Sequence, residues 1–189
     1  MVDLLPHKLR SDARDNRSRI LEAAREVFAA DGLDVPMREI ARRAGVGPAT
    51  LYRRFPTKEL LVTEAFTDQM RACYAVVDEG LADPDPWRGL TLVVEKLCDI
   101  QARDQGFTAA FTAAFPHAID FTADRERALR SIAELIRRAQ EAGAVRADVV
   151  LDDLVLILMA NSGIRAASPA ARVAASRRFA ALALRGLRA

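Results

Sequence analysis

The chain has 189 residues, of which 51% are hydrophobic and only 6% aromatic, and its 28 basic and 26 acidic side chains give a formal net charge of +2. This length fits one compact domain or a small domain joined to a larger one. The small net charge excludes a uniformly basic nucleic-acid protein. The charge is nevertheless uneven, because residues 1–58 carry a balance of +4 and residues 59–189 a balance of −2. The positive excess lies where contact with phosphate is predicted below.

The N-terminal residues 1–14 are predicted to form a flexible basic arm that contains Lys8, Arg10 and Arg14. Such an arm either follows the DNA backbone or minor groove, as arms of other DNA-binding proteins do, or is a solvated tail. The polar N-terminus does not resemble a signal peptide. The most apolar run, Leu154 to Ala160, is too short to span a membrane. We therefore expect a soluble, cytoplasmic protein without a membrane partner.

Three short helices are predicted between residues 15 and 57, and the second and third form a helix-turn-helix. Pro36 suits the first position of the second helix, where its missing N–H has no partner to lose. Gly45 suits the end of that helix, because glycine tolerates the left-handed conformation of a C-cap. The third helix is predicted from Pro48 to Phe55. The second helix of such a unit lies in the DNA major groove, so this region predicts a DNA-binding domain.

Residues 58–189 predict a second, larger helical domain, which makes the fold class all-α. Thr57 is placed to cap the first of its helices, and Asp83 to Pro86 is the clearest break in the chain. The predicted helices extend from Thr57 to about Leu81, and then over Trp87–Arg103, Gly106–Phe115, Ala123–Ala142, Val149–Arg165 and Pro169–Leu187. The helix from Val149 is apolar nearly all round, which predicts burial on most sides.

Two N-terminal segments carry a resemblance to a known family. They read ILEAAREVFAADG and MREIARRAGVGPATLYRRFPTKELL, and the Leu51-Tyr52 pair, Phe55 two residues past Arg53, and Lys58-Glu59 are their characteristic features. Together they resemble the TetR family of transcriptional regulators. Beyond residue 65 the resemblance is one of length and helical layout only.

The resemblance implies specific roles for residues of the helix-turn-helix. Arg38 is expected to reach the groove edge, and Pro48, Ala49, Thr50 and Arg53 fall where base-edge contacts are made. Tyr52 and Lys58 match residues that bind backbone phosphate, and Arg54 lies where a histidine or tyrosine is usual. The chemistry agrees, because an arginine fork can read guanine while long side chains position the protein on phosphates. In this chain Gly47 replaces the serine or threonine often found at that N-cap, so one hydroxyl contact to phosphate is absent.

An aromatic stripe suggests a ligand pocket in the second domain, since three phenylalanines follow one another at intervals of four residues. The alternative is plain core, which this spacing also produces. Asn161 lies within an apolar run and needs a hydrogen bond from a ligand, a helix carbonyl or its counterpart across a dimer. The predicted pocket comprises Phe66, Met70, Tyr74, Phe107, Phe111, Phe115, Met159 and Asn161. Pockets of this composition suit a hydrophobic or amphipathic effector of unknown identity.

The last two predicted helices are unusually apolar, which suggests a partner subunit. In the family resembled, the final two helices of each protomer form a four-helix dimer interface. The interface residues predicted on this basis are Leu154, Leu158, Phe179, Leu182 and Leu187.

No set of catalytic residues can be assembled from the sequence, and His7 and His117 lack the spacing of metal ligands. We therefore expect no enzyme activity, no metal and no cofactor. The leading hypothesis is a ligand-responsive homodimeric regulator, most often a repressor in this family, that binds a pseudo-palindromic DNA operator. The alternative is a helical small-molecule-binding or protein-adaptor module that has kept a vestigial helix-turn-helix.

Overall fold

The computed structural model describes residues 5–104, 106–108 and 122–189, with side chains from Asp15 onward except for those of residues 122 and 123. The described chain is all-α, as predicted. Its named helices are α1 (Leu5–Asp31), α2 (Met37–Arg43), α3 (Pro48–Arg54), α4 (Lys58–Ala82), α5 (Pro86–Arg103), α6 (Thr122–Glu141), α7 (Leu151–Ser162) and α8 (Pro169–Leu187). Residues 106–108 are also helical. The one β-type contact of the described residues is an isolated bridge between Val145 and Arg188.

The first helix begins earlier than the sequence analysis predicts. It is helical from Leu5, whereas residues 1–14 are predicted as an arm without regular structure. The prediction is therefore corrected for residues 5–14. Once a helix is nucleated, each further residue adds a hydrogen bond while only that one residue is ordered, so α1 extends back to Leu5 through a stretch whose one helix breaker, Pro6, lies in the first turn.

The helices form a small N-terminal unit, α1 to α3, and a bundle of α4 to α8. In the bundle, α5 is central and packs against α4, α6, α7 and α8, while α1 packs against α4 and joins the two parts. The largest fully buried side chains include Phe28, Phe55 and Phe107. A single cluster of buried apolar residues runs from α1 to α8, so the two parts share one continuous core.

The turn between α4 and α5 brings two helix backbones unusually close. A Cβ atom added to Gly89 would lie 2.2 Å from the Gly80 carbonyl oxygen, so no larger residue fits there without moving the backbone. The Asp85 carboxylate caps α5 by accepting hydrogen bonds from the backbone N–H groups of Trp87 (2.9 Å) and Arg88 (3.1 Å). The predicted break at residues 83–86 is thus a tight, capped helical hairpin.

The α7 helix differs from its prediction in burial. The sequence predicts burial on most sides, but Leu156 is 63% exposed and Met159 is 51% exposed in the chain. The helix is also shorter than predicted, because it begins at Leu151 and ends at Ser162. Its opposite face packs on α5, and its outer face presents large apolar side chains to solvent. The end of the predicted helix over Gly106–Phe115, from residue 109, lies outside the described residues.

Candidate functional site

The helix-turn-helix forms as the local sequence signals predict. Gly45 adopts φ +64°, and the backbone N–H groups of Gly45 and Val46 donate to the carbonyls of Arg42 (3.2 Å) and Ala41 (3.0 Å). This is the Schellman arrangement that ends a helix at a glycine. Leu51 of α3 is fully buried, so α3 is fixed on one face and exposed on the other.

A residue that the sequence analysis missed holds the turn in place. Arg19 of α1 donates from Nη2 to the carbonyl oxygen of Ala44 at 2.7 Å, and Nη1 donates to Asn16 at 3.4 Å. The carbonyl groups at the end of a helix carry partial negative charge, so a guanidinium there is favourable. Arg19 thereby fixes α2, and with it the direction in which α3 leaves the turn. Its position on the polar face of α1 gave no sign of this long-range contact.

The exposed face of the helix-turn-helix carries the residues predicted to contact DNA. Tyr52 is 50% exposed, and Thr50 and Lys58 are half-buried. The other predicted DNA-contacting residues are exposed, namely Arg38, Pro48, Ala49, Arg53 and Arg54. The structure therefore brings all of them to the surface, on α2, on α3 and at the first position of α4.

Within the described part of the chain, Arg42 is the one cation of this face that pairs with a carboxylate. Arg42 forms an ion pair with Glu39, with Nε 2.9 Å from the carboxylate oxygen, whereas Arg38, Arg53 and Arg54 form none. Arginines of the bundle commonly pair, as Arg88 does with Asp83 at 2.7 Å. Unpaired surface cations leave their positive field and hydrogen-bond donors available to an external anion such as phosphate.

The α4 helix connects this surface to the bundle. At its start, the Thr57 hydroxyl accepts from the backbone N–H of Leu60 at 3.2 Å, as predicted for an N-cap. Further along, Arg17 of α1 pairs with Glu64, and Arg25 of α1 donates to the carbonyl oxygen of Ala65 at 3.1 Å. These polar contacts hold α1 directly to α4.

Aromatic packing strengthens the same junction and involves two residues of the predicted pocket, Phe66 and Phe107. The ring centroids of Phe28 and Phe66 are 6.2 Å apart, and those of Phe66 and Phe107 are 6.0 Å apart. Phe66 and Phe107 are therefore buried in the core beside α1, and neither lines the cavity of the bundle. Phe111 and Phe115 lie outside the described residues.

A cavity of about 70 Å³ lies within the bundle, between α4, α5, α6 and α7. Two residues of the predicted pocket, Met70 and Tyr74, line it. The complete lining consists of Met70, Cys73, Tyr74, Val77, Leu97, Arg125, Ala128, Leu129, Ile132, Leu151, Leu154, Val155 and Leu158. Burial raises the pKa of the Cys73 thiol to about 12, so this wall residue is an uncharged, free thiol.

Asn161 and Met159, two further residues of the predicted pocket, do not line this cavity. The Asn161 amide is 4% exposed and donates to the Cys98 carbonyl at 3.2 Å and to the Gln101 side-chain oxygen at 2.9 Å. Its own oxygen accepts from the Ser176 hydroxyl at 2.7 Å. Asn161 is therefore satisfied inside the chain, by a helix carbonyl and two side chains that the sequence analysis did not associate with it. Met159 lies on the exposed side of α7.

The predicted dimer residues divide between the interior and the surface. Leu154, Leu158 and Leu187 are buried within the single chain, so they belong to its core and not to its exposed surface. Phe179 is half-buried and Leu182 is 49% exposed. The sequence could not predict this division, because α7 is apolar nearly all round and its helical periodicity does not show which side faces inward.

The described chain combines a three-helix helix-turn-helix unit with a helical bundle, and α4 joins the two. The first carries cations that have no carboxylate partner among the described residues, and the second encloses an apolar cavity. This combination defines the class of transcription regulators in which one chain holds both a helix-turn-helix unit and a bundle with a cavity. Comparison with known proteins identifies the family. Residues 20–65 match the family described as bacterial regulatory proteins, tetR family, and residues 85–189 match the transcriptional regulator SbtR-like C-terminal domain. The chain belongs to the TetR family of transcriptional regulators, which confirms the resemblance and the expectation that it is not an enzyme.

Individual relatives agree with this assignment. The chain is 37% identical over 107 residues to the HTH-type transcriptional repressor KstR of Mycolicibacterium smegmatis, which covers 56% of this chain and 52% of the relative. It thus spans about half the length of the curated relatives it matches. A solved TetR regulatory protein from Mycobacterium vanbaalenii is 34% identical, with 96% and 99% of the two chains covered and a TM-score of 0.52. The regulator SCO0520 of Streptomyces coelicolor is 32% identical, with 91% and 98% covered and a TM-score of 0.54.

No helix among the described residues is long and apolar enough to cross a membrane.

Proposed function

We propose that this protein is a homodimeric transcriptional repressor that binds a pseudo-palindromic DNA operator and is released or retuned by a small hydrophobic or amphipathic effector. The observation that carries the proposal is the exposed face of α3, fixed from behind by buried Leu51. It is bordered by Arg38, Arg53 and Arg54, which pair with no carboxylate among the residues that the structure describes. In a dimer, two such helices about one DNA turn apart would enter successive major grooves.

The individual roles follow from reach and chemistry. Arg38 and Arg53 are proposed to read guanine edges, because a guanidinium can bond to O6 and N7 together. Tyr52 and Lys58 are proposed to bind backbone phosphate and so to position the protein without reading sequence. Pro48 and Ala49 offer only apolar contact, for example to a thymine methyl group. Repression is proposed because the relative from Mycolicibacterium smegmatis is named a repressor.

Dimerisation is supported by the exposed apolar surface of the last two helices. Leu156 and Met159 on α7 and Leu182 on α8 are each about half-exposed or more in the single chain, and the half-buried Phe179 lies near the last of them in sequence. Large apolar side chains that share one surface indicate an interaction site. A second copy of the chain would cover this surface by a two-fold arrangement in which α7 and α8 meet their counterparts.

Effector control is supported by the position of α4. The same helix contributes Met70, Tyr74 and Val77 to the cavity and, nearer its start, contacts α1 through Glu64 and Phe66. A ligand that enlarges the cavity would therefore shift α4 and change the separation of the two α3 helices. Such a ligand acts by favouring one of two arrangements of the dimer.

The experiment that tests the proposal is selection of bound duplexes from a randomised DNA pool at about 150 mM salt. Enrichment of an inverted repeat whose half-sites lie about one helical turn, roughly 10 base pairs, apart is the expected result. Light scattering on the same sample reports the oligomeric state. An intact dimer that enriches no sequence would contradict the proposal and favour the alternative, a helical binding or adaptor module with a vestigial helix-turn-helix.

A further inference from the structure

The cavity of the bundle presents an almost entirely apolar surface to whatever it holds. Its walls are mostly leucine, isoleucine, valine and alanine side chains from α4, α5, α6 and α7. Tyr74 and Arg125 are also lining residues, but the Tyr74 hydroxyl and the Arg125 Nε atom are buried and have almost no accessible surface. Tyr74 therefore borders the cavity with its ring, and Arg125 with the aliphatic part of its side chain.

The walls also lack the charge of a thiolate or a phenolate. Burial raises the pKa of Cys73 to about 12, and burial together with the charge of Asp124 raises the pKa of Tyr74 to about 12. Both groups are therefore uncharged at physiological pH. Within the described part of the chain, the cavity consequently offers a ligand almost no hydrogen-bond partner and no anionic wall residue.

The cost of removing a polar group from water decides which ligands such a cavity accepts. A neutral hydroxyl that enters it gives up its hydrogen bonds to water and finds almost none in return, and an ionised group loses far more. An apolar ligand has no such loss and gains the hydrophobic and dispersion contacts of burial. Water is disfavoured as well, since a buried water needs about two to four polar partners. The cavity therefore selects apolar contents.

We propose that the cavity binds a compact, neutral, hydrocarbon-like ligand that has no charged or hydrogen-bonding group. This inference rests on the proposed function, in which the cavity is the effector site. Of the two classes of effector named there, it selects the hydrophobic one and excludes the amphipathic one.

The volume of the cavity sets the size of the ligand. Its volume of about 70 Å³ is less than half the ~150 Å³ of a known apolar protein cavity that stays dry and takes up benzene or xenon. Xenon, the smaller of these two probes, is therefore the better match, and a benzene ring needs the walls to move outward. Met70, Tyr74 and Val77 lie on one face of α4, because they are four and three residues apart. An outward movement of this wall is a movement of α4.

The test compares four probes on the full chain without DNA. Xenon uptake is followed by xenon NMR, and benzene, phenol and benzoate are titrated by calorimetry as probes that share one ring. We expect xenon and benzene to bind and benzoate not to bind. Phenol should bind about tenfold or more weakly than benzene, because its hydroxyl loses hydrogen bonds to water and regains almost none.

A pair of alanine substitutions on α6 tests whether the probes bind inside the cavity. Ala128→Leu should abolish binding of xenon and benzene, because the larger side chain takes up the space that the ligand would occupy. Ala133→Leu makes the same change at an exposed position of the same helix and should bind both probes as the unaltered chain does. Circular dichroism melts confirm that each variant is folded. The comparison of the four probes needs no variant, so the inference can be tested even if Ala128→Leu does not fold.

Phenol or benzoate that binds as tightly as benzene would overturn the inference, as would unchanged binding in folded Ala128→Leu or the absence of binding by both xenon and benzene. Binding of xenon without benzene would support it and restrict the ligand to one smaller than a benzene ring.

Operator titration with and without the apolar probes separates this inference from the proposed function. If the apolar probes bind as expected but leave operator affinity unchanged, effector control fails and the ligand assignment stands. If no probe binds while the operator is still bound, only the ligand assignment fails.

Discussion

Replacing Asn161 by alanine should strongly destabilise the bundle, because this one side chain bonds to two other helices. It donates to the Cys98 carbonyl and to the Gln101 side chain on α5, and it accepts from Ser176 on α8. All three contacts are buried, and the two to α5 join residues that are 63 and 60 apart in the sequence. Loss of Asn161 therefore removes a cross-connection between α5, α7 and α8.

The magnitude follows from the number of bonds and from what is left behind. Three buried hydrogen bonds at about 0.5–1.5 kcal/mol each give roughly 1.5–4.5 kcal/mol. Ser176 keeps a partner, because its hydroxyl can donate to the Cys98 carbonyl at 3.1 Å. The Gln101 side-chain oxygen loses the Asn161 donor while it stays buried, which moves the estimate toward the upper half. We expect a loss of about 3–4 kcal/mol in the free energy of unfolding.

The assay is urea unfolding at a fixed protomer concentration, since the apparent stability of an oligomer depends on concentration. Ser162→Ala is the matched control on the same helix, because its hydroxyl donates only to the Met159 carbonyl one turn back. It should cost about 0.5 kcal/mol or less. Ser176→Ala should cost less than Asn161→Ala, and the double variant should cost less than the sum, since both lose the same bond. A loss below about 1 kcal/mol in Asn161→Ala would refute the reasoning.

Three further predictions concern DNA, the dimer and pH. Arg53→Ala should weaken operator binding by about 1–3 kcal/mol and relax selectivity at one base pair. Lys58→Ala should weaken binding to all sequences alike and reduce by about one the slope of log affinity against log salt concentration. Fluorescence anisotropy measures both effects. Leu156→Glu should give monomers in light scattering, because a charge would replace an exposed apolar side chain of the proposed interface. Hydrogen bonds from Arg103 and Arg177 lower the pKa of Asp99. The ionised Asp99 carboxylate therefore stabilises the fold above its unfolded pKa of about 3.9, and this stabilisation is lost as pH falls below that value. Asp99→Asn should therefore reduce the loss of stability on acidification, as measured by urea unfolding between about pH 5 and pH 2.

The DNA-binding and dimer variants each have a control in the same chain. Lys96→Ala removes a lysine that pairs with Glu79 at 2.7 Å in the bundle, so it should leave DNA binding and its salt slope unchanged. Ala133→Glu adds a charge at an exposed site on α6 and should leave the oligomeric state unchanged. A change of base preference in Lys58→Ala, or an intact dimer of Leu156→Glu, would contradict the assigned roles. If Asp99→Asn lost as much stability on acidification as the unaltered protein, the role assigned to Asp99 would be contradicted.

The sequence by itself determined the features that depend on neighbours along the chain. Gly45 and the apolar spacing around it predict the end of α2, because a left-handed residue and a helical period are local properties. Thr57 predicts the start of α4 for the same reason, since an N-cap bonds within three residues of itself. The helix-turn-helix is built almost entirely from such signals, and for that reason the class and the family could be predicted from the N-terminal third.

Only the tertiary structure decided which faces and partners the helices use. The run around α7 is apolar on all sides, so its periodicity could not place Leu158 in the core and Leu156 on the surface. Asn161 was recognisable as a polar residue in need of a partner, but Gln101 lies 60 residues away along the chain. Arg125 reaches the cavity only because α6 packs beside α4. Burial, long-range pairing and the lining of the cavity are properties of packed helices, because packing brings together residues that lie far apart in the sequence.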